Sequence, residues 1–182
     1  MKRKIKCIYI DGIEKSGKTS VVREIRKFLK NKNKDLHEIN GTNKQKIEQQ
    51  ISMLKDSNNS FVLKENSILS LFYKDIKEKN SGIHKLEEEY KETIRQERNV
   101  NHEYGAVHFF IIPEDNESMS RFSEEFGEIP EYLNRLIYFY RKIDQYSISQ
   151  GLDIKLITFD ENERIYDIRD KITKELETNY DI

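Results

Sequence analysis

A short glycine-rich segment near the start of the chain has the residue types and spacing of a phosphate-binding loop. The string Gly12-Ile-Glu-Lys-Ser-Gly17-Lys18-Thr19 fits the pattern G-x-x-x-x-G-K-[ST]. Glycines let the backbone approach a phosphate without a Cβ in the way, and consecutive backbone N–H groups then form an anion-binding concavity at the start of a helix. The string therefore predicts a site for a nucleoside triphosphate, which we take to be ATP.

The polar residues of this loop have separate predicted roles. Lys18 supplies a cation for the β- and γ-phosphates, and the hydroxyl of Thr19 is a ligand for Mg²⁺. Ser20 supports the start of the following helix. We therefore expect ATP and Mg²⁺ as the cofactors. The predicted nucleotide-binding set is Gly12, Ser16, Gly17, Lys18, Thr19 and Ser20.

The apolar residues predict the elements that must position this loop. A β-branched run from Ile5 to Ile10 predicts a buried strand before it, and apolar residues at helical spacing from Val21 to Leu29 predict a helix after it. Further apolar runs at 36–39, 61–63, 107–112 and 154–159 predict four more strands. Strands that alternate with helices predict an α/β fold, a three-layer sandwich with a five-stranded, mostly parallel sheet flanked by helices.

The helices between these strands are read from weaker patterns. Apolar residues at helical spacing predict helices near 47–54, 68–76, 119–122, 133–143 and 165–176. Residues 80–105 carry only a thin apolar stripe, Leu86, Tyr90 and Ile94, among many charges. That composition is typical of a solvated helix.

Size and composition limit the classes of protein to consider. The 182 residues suit one domain, 1–182, and Lys+Arg 32 against Asp+Glu 33 gives no basic excess, so we expect no nucleic-acid partner. No apolar stretch approaches the ~20 residues of a membrane span. Cys7 is the only cysteine; it predicts a buried structural thiol and a cytoplasmic protein without disulfides. The histidines, which lack metal-ligand spacing, are interpreted as structural or surface groups; among them His37 alone lies near the predicted site.

Among nucleotide-binding classes, the sequence favours a small kinase. The guanine-reading string Asn-Lys-x-Asp of GTPases is not matched, because Asn43-Lys44-Gln45 is followed by Lys46. A single domain of this length is also small for a motor or a large ATPase. The phosphoryl acceptor is not indicated by the loop itself.

The segment IYIDGIEKSGKTS, residues 8–20, resembles the opening of thymidylate kinases, within the nucleoside monophosphate kinases. Asp11 stands where that family has an acidic residue before the first glycine, and Glu14 and Lys15 fall on an acidic-then-basic pair inside the loop. The resemblance implies a P-loop kinase fold, a homodimer, and transfer of the γ-phosphoryl group of ATP to dTMP. It also implies that Lys15 assists the transfer and that Glu14 contacts the acceptor.

Two later segments resemble the same family. His37-Glu-Ile-Asn-Gly-Thr42 resembles its Arg-Glu-Pro-Gly-Gly-Thr string, and Glu65-Asn66-Ser67 lies where the family has Asp-Arg-Tyr. The resemblance implies that Glu38 and Glu65 order the metal's water shell, and that Glu38 and Asn66 lie at the acceptor. His37 and Asn66 replace arginines of the family. The candidate replacements for these cations are Lys44, Lys46, Lys64 and Lys74.

The remaining implied site residues lie in the acceptor pocket and the lid. Phe72 and Tyr73 fall near the expected acceptor pocket and are candidates to stack on a base, although packing in the core explains them as well. Arg121, at the start of the lid region 121–130, is implied to neutralise the migrating phosphoryl group.

Two alternative functions remain open on the sequence. A deoxynucleoside or 5′-hydroxyl kinase would transfer to an alcohol, which requires a carboxylate base, and Glu65 is the candidate. A degenerate kinase homologue would bind nucleotide in a regulatory role without transfer. The missing arginine at Asn66 favours the first alternative, and the departures at both His37 and Asn66 motivate the second.

Overall fold

The computed structural model describes residues 2–12, 16–41, 44–56, 60–67, 88, 90–114, 152–160 and 162–182. The strands are β1 (Arg3–Lys4), β2 (Cys7–Gly12), β3 (Asp35–Asn40), β4 (Ser60–Glu65), β5 (Ala106–Pro113), β6 (Ile154–Phe159) and β7 (Tyr180–Asp181). The helices are α1 (Lys18–Asn31), α2 (Lys44–Asp56), α3 (Lys91–Tyr104) and α4 (Ile165–Asn179). The helices predicted near 68–76, 119–122 and 133–143 lie outside the described residues. No described helix is long and apolar enough to cross a membrane.

The five predicted strands form one parallel sheet in the order β3-β4-β2-β5-β6. β2 lies in the centre, where Ile8 is the register partner of Leu63 on β4 and of Val107 on β5. Every residue of β2 and β5 is buried, as a central parallel strand covered on both faces requires. The predicted α/β fold with helices flanking a five-stranded sheet is confirmed.

The two faces of the sheet pack against different helices. On one face, Ile8, Ile10 and Phe109 belong to an apolar cluster completed by α1 and α4. On the other face, Cys7 and Tyr9 pack with residues of α2 and α3. Side chains alternate between the faces along each strand, so neighbouring residues of β2 serve opposite layers.

The environment of α3 differs from the one that the sequence predicts. The predicted solvated helix instead buries Glu97, Val100 and Asn101 against the sheet. Its apolar stripe is thin because two of these buried positions carry polar side chains. Glu97 lies 3.4 Å from the Nζ of Lys64, which is itself fully buried on β4.

A second, two-stranded sheet was not predicted. β1 pairs in parallel with β7, with Arg3 opposite Tyr180. The hydroxyl of Tyr180 donates to Asp153 at 2.7 Å, and Arg3 lies 3.0 Å from the same carboxylate. Strands of two residues are too short to show an alternating pattern in the sequence.

Candidate functional site

The first glycine of the predicted loop lies where two strands approach closely. Gly12 ends β2 with a φ of +145° and is the register partner of Ile111 on β5. A Cβ at this position would lie 2.5 Å from the carbonyl oxygen of Ile111. Glycine is therefore required here by both the backbone conformation and the space.

The second glycine starts the helix that follows. Gly17 is the N-cap of α1 in the left-handed conformation, with φ 78° and ψ 14°, and its carbonyl accepts the N–H of Val21 at 3.0 Å. Lys18 and Thr19 form the first turn, which contains no acidic residue. A left-handed residue followed by helical ones directs successive N–H groups to one concavity, which suits a phosphate. Ser16, which precedes this turn, is buried, and Ser20 is half-buried in it.

A hydroxyl and a carboxylate meet beside this turn. The Oγ1 of Thr19 donates to the Oε1 of Glu65 at 2.7 Å. Glu65 ends β4, the strand next to β2, so the carboxyl edge of the sheet brings the carboxylate to the start of α1. Hydroxyl and carboxylate oxygens are the ligands that Mg²⁺ prefers. The residues present therefore fit a phosphate-bound Mg²⁺ ion.

The end of β4 is fastened to the end of β2 by a buried carboxylate. Asp11 is fully buried and accepts hydrogen bonds from the backbone N–H of Ser67 at 2.8 Å and from its hydroxyl at 2.7 Å. The Nδ1 of His108 lies 3.8 Å from Oδ2, the carboxylate oxygen that accepts the Ser67 hydroxyl. Asp11 thus fixes the segment that carries Glu65 relative to the loop.

Two further residues predicted at the acceptor are described: Asn66, which follows Glu65, and Glu38 on β3. Asn66 adopts a φ of 65°, and its side-chain amide donates to the Oδ1 of Asn40 at 3.1 Å. Glu38 lies further back on β3, where it forms an ion pair with Arg26 of α1. Both carboxylates thus contact α1, Glu65 at Thr19 in its first turn and Glu38 at Arg26 further along the helix.

Several predicted site residues lie outside the described part of the chain. They are Glu14, Lys15, Phe72, Tyr73 and Arg121. Their predicted roles are carried forward below as proposals. Among the candidate replacement cations, Lys64 is corrected by the structure: it is fully buried and faces Glu97 of α3, on the opposite face of the sheet from Thr19 and Glu65.

The sequence analysis missed a row of buried polar residues beneath the site. Lys64, Tyr9 and His108 are register partners across three strands. The Tyr9 ring stacks on His108 at 4.2 Å and lies 5.4 Å from the Nζ of Lys64. The hydroxyl of Tyr9 donates to Asn101 at 2.8 Å and accepts from Gln50 at 2.7 Å. The available signal was a polar residue inside an otherwise apolar strand, as with the histidine in AVHFFIIP.

Cys7, at the start of β2, is the buried structural thiol that the sequence predicts. Burial raises its pKa to about 12, against which a hydrogen bond from Gln50 at 3.3 Å acts. A thiol with so high a pKa remains protonated and is a poor nucleophile near neutral pH. Cys7 is buried at the end of β2 opposite the glycine-bounded loop, in keeping with a structural role. Among the described residues no group of three or more potential ligands is arranged for a metal ion.

Comparison with known proteins finds solved structures with a similar fold. No protein-family model and no curated protein matches the chain. Among solved structures, it is similar to the YorR protein of Bacillus subtilis, solved in complex with phosphorylated GDP, with a TM-score of 0.58 and 19% identity over 97% of this chain and 99% of that one. It is also similar to thymidylate kinase from Ehrlichia chaffeensis, with a TM-score of 0.56 and 14% identity over 96% and 100% of the two chains. At these identities the similarity shows the fold alone, an α/β fold with a parallel sheet flanked by helices.

Proposed function

We propose that this chain is a nucleotide kinase that transfers the γ-phosphoryl group of ATP to a deoxynucleoside monophosphate, dTMP first. The observation that carries the proposal is the contact between Thr19 and Glu65 beside the glycine-bounded loop. It sets a hydroxyl and a carboxylate at the start of a helix whose N–H groups suit phosphates. The likeness to a thymidylate kinase structure supports the choice of acceptor class.

The proposed roles follow from the position of each residue. The amides of the first turn and Lys18 hold the phosphates of ATP, while Thr19 and Glu65 hold Mg²⁺ and its water shell. When bound, Mg²⁺ neutralises charge on the phosphates. An acceptor phosphate is already an anion, so no strong general base is required. Catalysis then depends on positioning and on electrostatic stabilisation.

The acceptor side of the proposal extends to residues outside the described part of the chain. We assign Lys15 and Arg121 to the migrating phosphoryl group and Glu14 to the acceptor. Phe72 and Tyr73 stack on the acceptor base in this proposal. Glu38 joins the metal's water shell and, with Asn66, lies at the acceptor, and the active form is a homodimer.

The test is ADP release from ATP and Mg²⁺ across a panel of deoxynucleoside monophosphates. We expect turnover with dTMP or a related monophosphate, and loss of at least about 100-fold in Lys18→Ala, because one charged group that stabilises the transition state contributes ~3–4 kcal/mol. Lys30→Ala removes an exposed cation from the last turn of the same helix and is the matched control. Nucleotide binding without turnover on any acceptor would instead support the regulatory homologue.

A kinase for an alcohol acceptor is the second candidate, and one observation favours it. At the position where related enzymes have an arginine, Asn66 donates its amide to Asn40, so this described edge presents neutral groups. An alcohol must lose a proton on attack, and Glu65 is the available carboxylate. Glu65→Ala separates the candidates: an alcohol acceptor should lose most of its turnover, and a monophosphate acceptor less. Nucleosides and a 5′-hydroxyl oligonucleotide belong in the panel for this reason.

A further inference from the structure

A second concave site lies at the opposite end of the sheet from the loop. It is a cavity of about 530 Å³ bounded by β1, the residues before β2, and the last turn of α3. Gly105, on its wall, precedes β5, and Ile111 of β5 is the register partner of Gly12. At a strand rise of about 3.3 Å per residue, the two sites are about 20 Å apart.

The charges that line this cavity are mostly of one sign. The described residues that line it include four cationic side chains, Arg3, Lys4, Lys6 and Arg98, and one carboxylate, that of Glu103. This excess is local, because the whole chain has a net charge of −1. Cations gathered in a concave surface repel one another and raise the local concentration of anions.

Among the described residues, two of these cations have no ion-pair partner. Arg3 has a partner, because its guanidinium lies 3.0 Å from Asp153. Lys4 and Arg98 are both exposed, and in the described part of the chain neither forms an ion pair. These two side chains are therefore available to an anionic ligand. A guanidinium also matches the geometry of a phosphate with two parallel hydrogen bonds.

The wall of the cavity is held by backbone contacts. The carbonyl oxygen of Gly105 accepts the N–H groups of Lys6 and Cys7, both at 3.1 Å. Gly105 has a φ of +71°, and a Cβ there would lie 2.4 Å from the carbonyl oxygen of Lys4. The segment before β2 is thus fixed against the end of α3. A ligand would meet a formed surface and would not have to order one.

We propose that this cavity binds a small ligand with a multivalent phosphate group, such as a nucleoside diphosphate or triphosphate, independently of the glycine-bounded loop. Its volume falls within the ~300–1,000 Å³ of small-molecule sites. Its cations, two of which have no ion-pair partner in the described part of the chain, supply the recognition of phosphate. The balanced charge of the chain favours a small polyanion over nucleic acid, whose binding proteins present a larger basic surface.

The test uses inorganic tripolyphosphate, titrated calorimetrically into the full chain and into Lys18→Ala. We expect two binding events in the native chain and one in Lys18→Ala. In the Lys18→Ala background, Arg98→Glu should weaken the remaining event at least tenfold. Lys174→Glu makes a comparable change of charge at an exposed residue of α4 that does not line the cavity, and it should leave the event unchanged. Should Arg98→Glu fail to fold by circular dichroism, Lys4→Glu tests the same prediction.

Three results would overturn the proposal. Lys18→Ala could abolish all binding, which would assign every phosphate to the loop. Lys174→Glu could weaken the event as much as Arg98→Glu, which would reduce it to a general charge effect. Finally, a single-stranded oligonucleotide that binds more tightly than tripolyphosphate, and depends on Arg98, would make the surface a nucleic-acid site. In this proposal Lys18→Ala still binds tripolyphosphate at the cavity although it has lost kinase activity. Failure of the cavity proposal is therefore distinguishable from failure of the proposed kinase function.

Discussion

The buried ion pair between Lys64 and Glu97 offers a quantitative test of the structure. Its nitrogen and oxygen are 3.4 Å apart, and the two side chains are 0% and 1% exposed. Transfer of each ion out of water costs several kcal/mol, which their attraction offsets only while both are present. Removal of one partner should therefore be far more damaging than removal of both.

The perturbation is Glu97→Gln, which keeps the shape of the side chain and leaves Lys64 buried without its carboxylate. We expect the free energy of unfolding to fall by about 3–5 kcal/mol, a large share of the ~5–15 kcal/mol that stabilises an ordinary domain. For a chain of this length, each kcal/mol moves the midpoint of thermal unfolding by ~2–4 °C. The midpoint should therefore fall by roughly 6–20 °C, measured by circular dichroism and checked by urea unfolding.

Two further variants make this prediction refutable. The double variant Lys64→Met with Glu97→Leu replaces the pair by apolar side chains of similar size and should unfold within about 1 kcal/mol of the native chain. Glu92→Gln makes the same chemical change in an exposed ion pair with Arg95 on the same helix. Loss of that exposed pair should leave the free energy of unfolding without a detectable change. If Glu97→Gln is no less stable than Glu92→Gln, or if the double variant is at least as unstable as Glu97→Gln, the buried pair does not carry the desolvation cost on which the prediction depends.

Three other predictions concern the site and its surroundings. Gly12→Ala should weaken ATP binding by more than ~100-fold in calorimetry, because its Cβ would lie 2.5 Å from a backbone oxygen of β5. Gly41→Ala is the control: its φ is also positive, +80°, but no atom lies within 4 Å of the added Cβ, so binding should change little. Cys7 should resist a thiol reagent at pH 9 until the chain is unfolded in urea, since burial raises its pKa to about 12; rapid reaction of the folded chain would contradict its burial. Ser67→Ala, which removes one hydrogen bond to the buried Asp11, should lower the free energy of unfolding by ~1–3 kcal/mol in thermal melts, and an unchanged midpoint would contradict that bond.

The sheet could be predicted because its strands coincide with apolar runs in the sequence. The run from Ile154 to Phe159 became β6 with the predicted bounds, and the run at 107–112 became β5 with one residue added at each end. The glycine-bounded loop could be predicted because its residue types are fixed by local geometry. Gly12 and Gly17 both adopt positive φ angles that a sequence pattern can encode without reference to distant residues.

The helix α3 could not be predicted in the same way. Sequence reasoning assigns charged residues to solvent, since an unpaired buried charge is unfavourable. Glu97 and Asn101 are buried because their partners Lys64 and Tyr9 lie on strands 33 and 92 residues away in the sequence. No local pattern contains such a pairing.

These buried partners also explain how groups that contact no phosphate can position the site. Asn101 contacts His108 at 3.2 Å, and His108 in turn lies 3.8 Å from Asp11, whose carboxylate holds Ser67. Because Ser67 lies two residues after Glu65, the last residue of β4, the orientation of Asp11 sets where that strand places its last carboxylate relative to the loop. In a medium of low dielectric the hydrogen bonds that Asn101 and Asp11 form are strong and their loss is costly. The geometry beside the loop is therefore determined from within the core, by residues that a search for phosphate-binding motifs does not select.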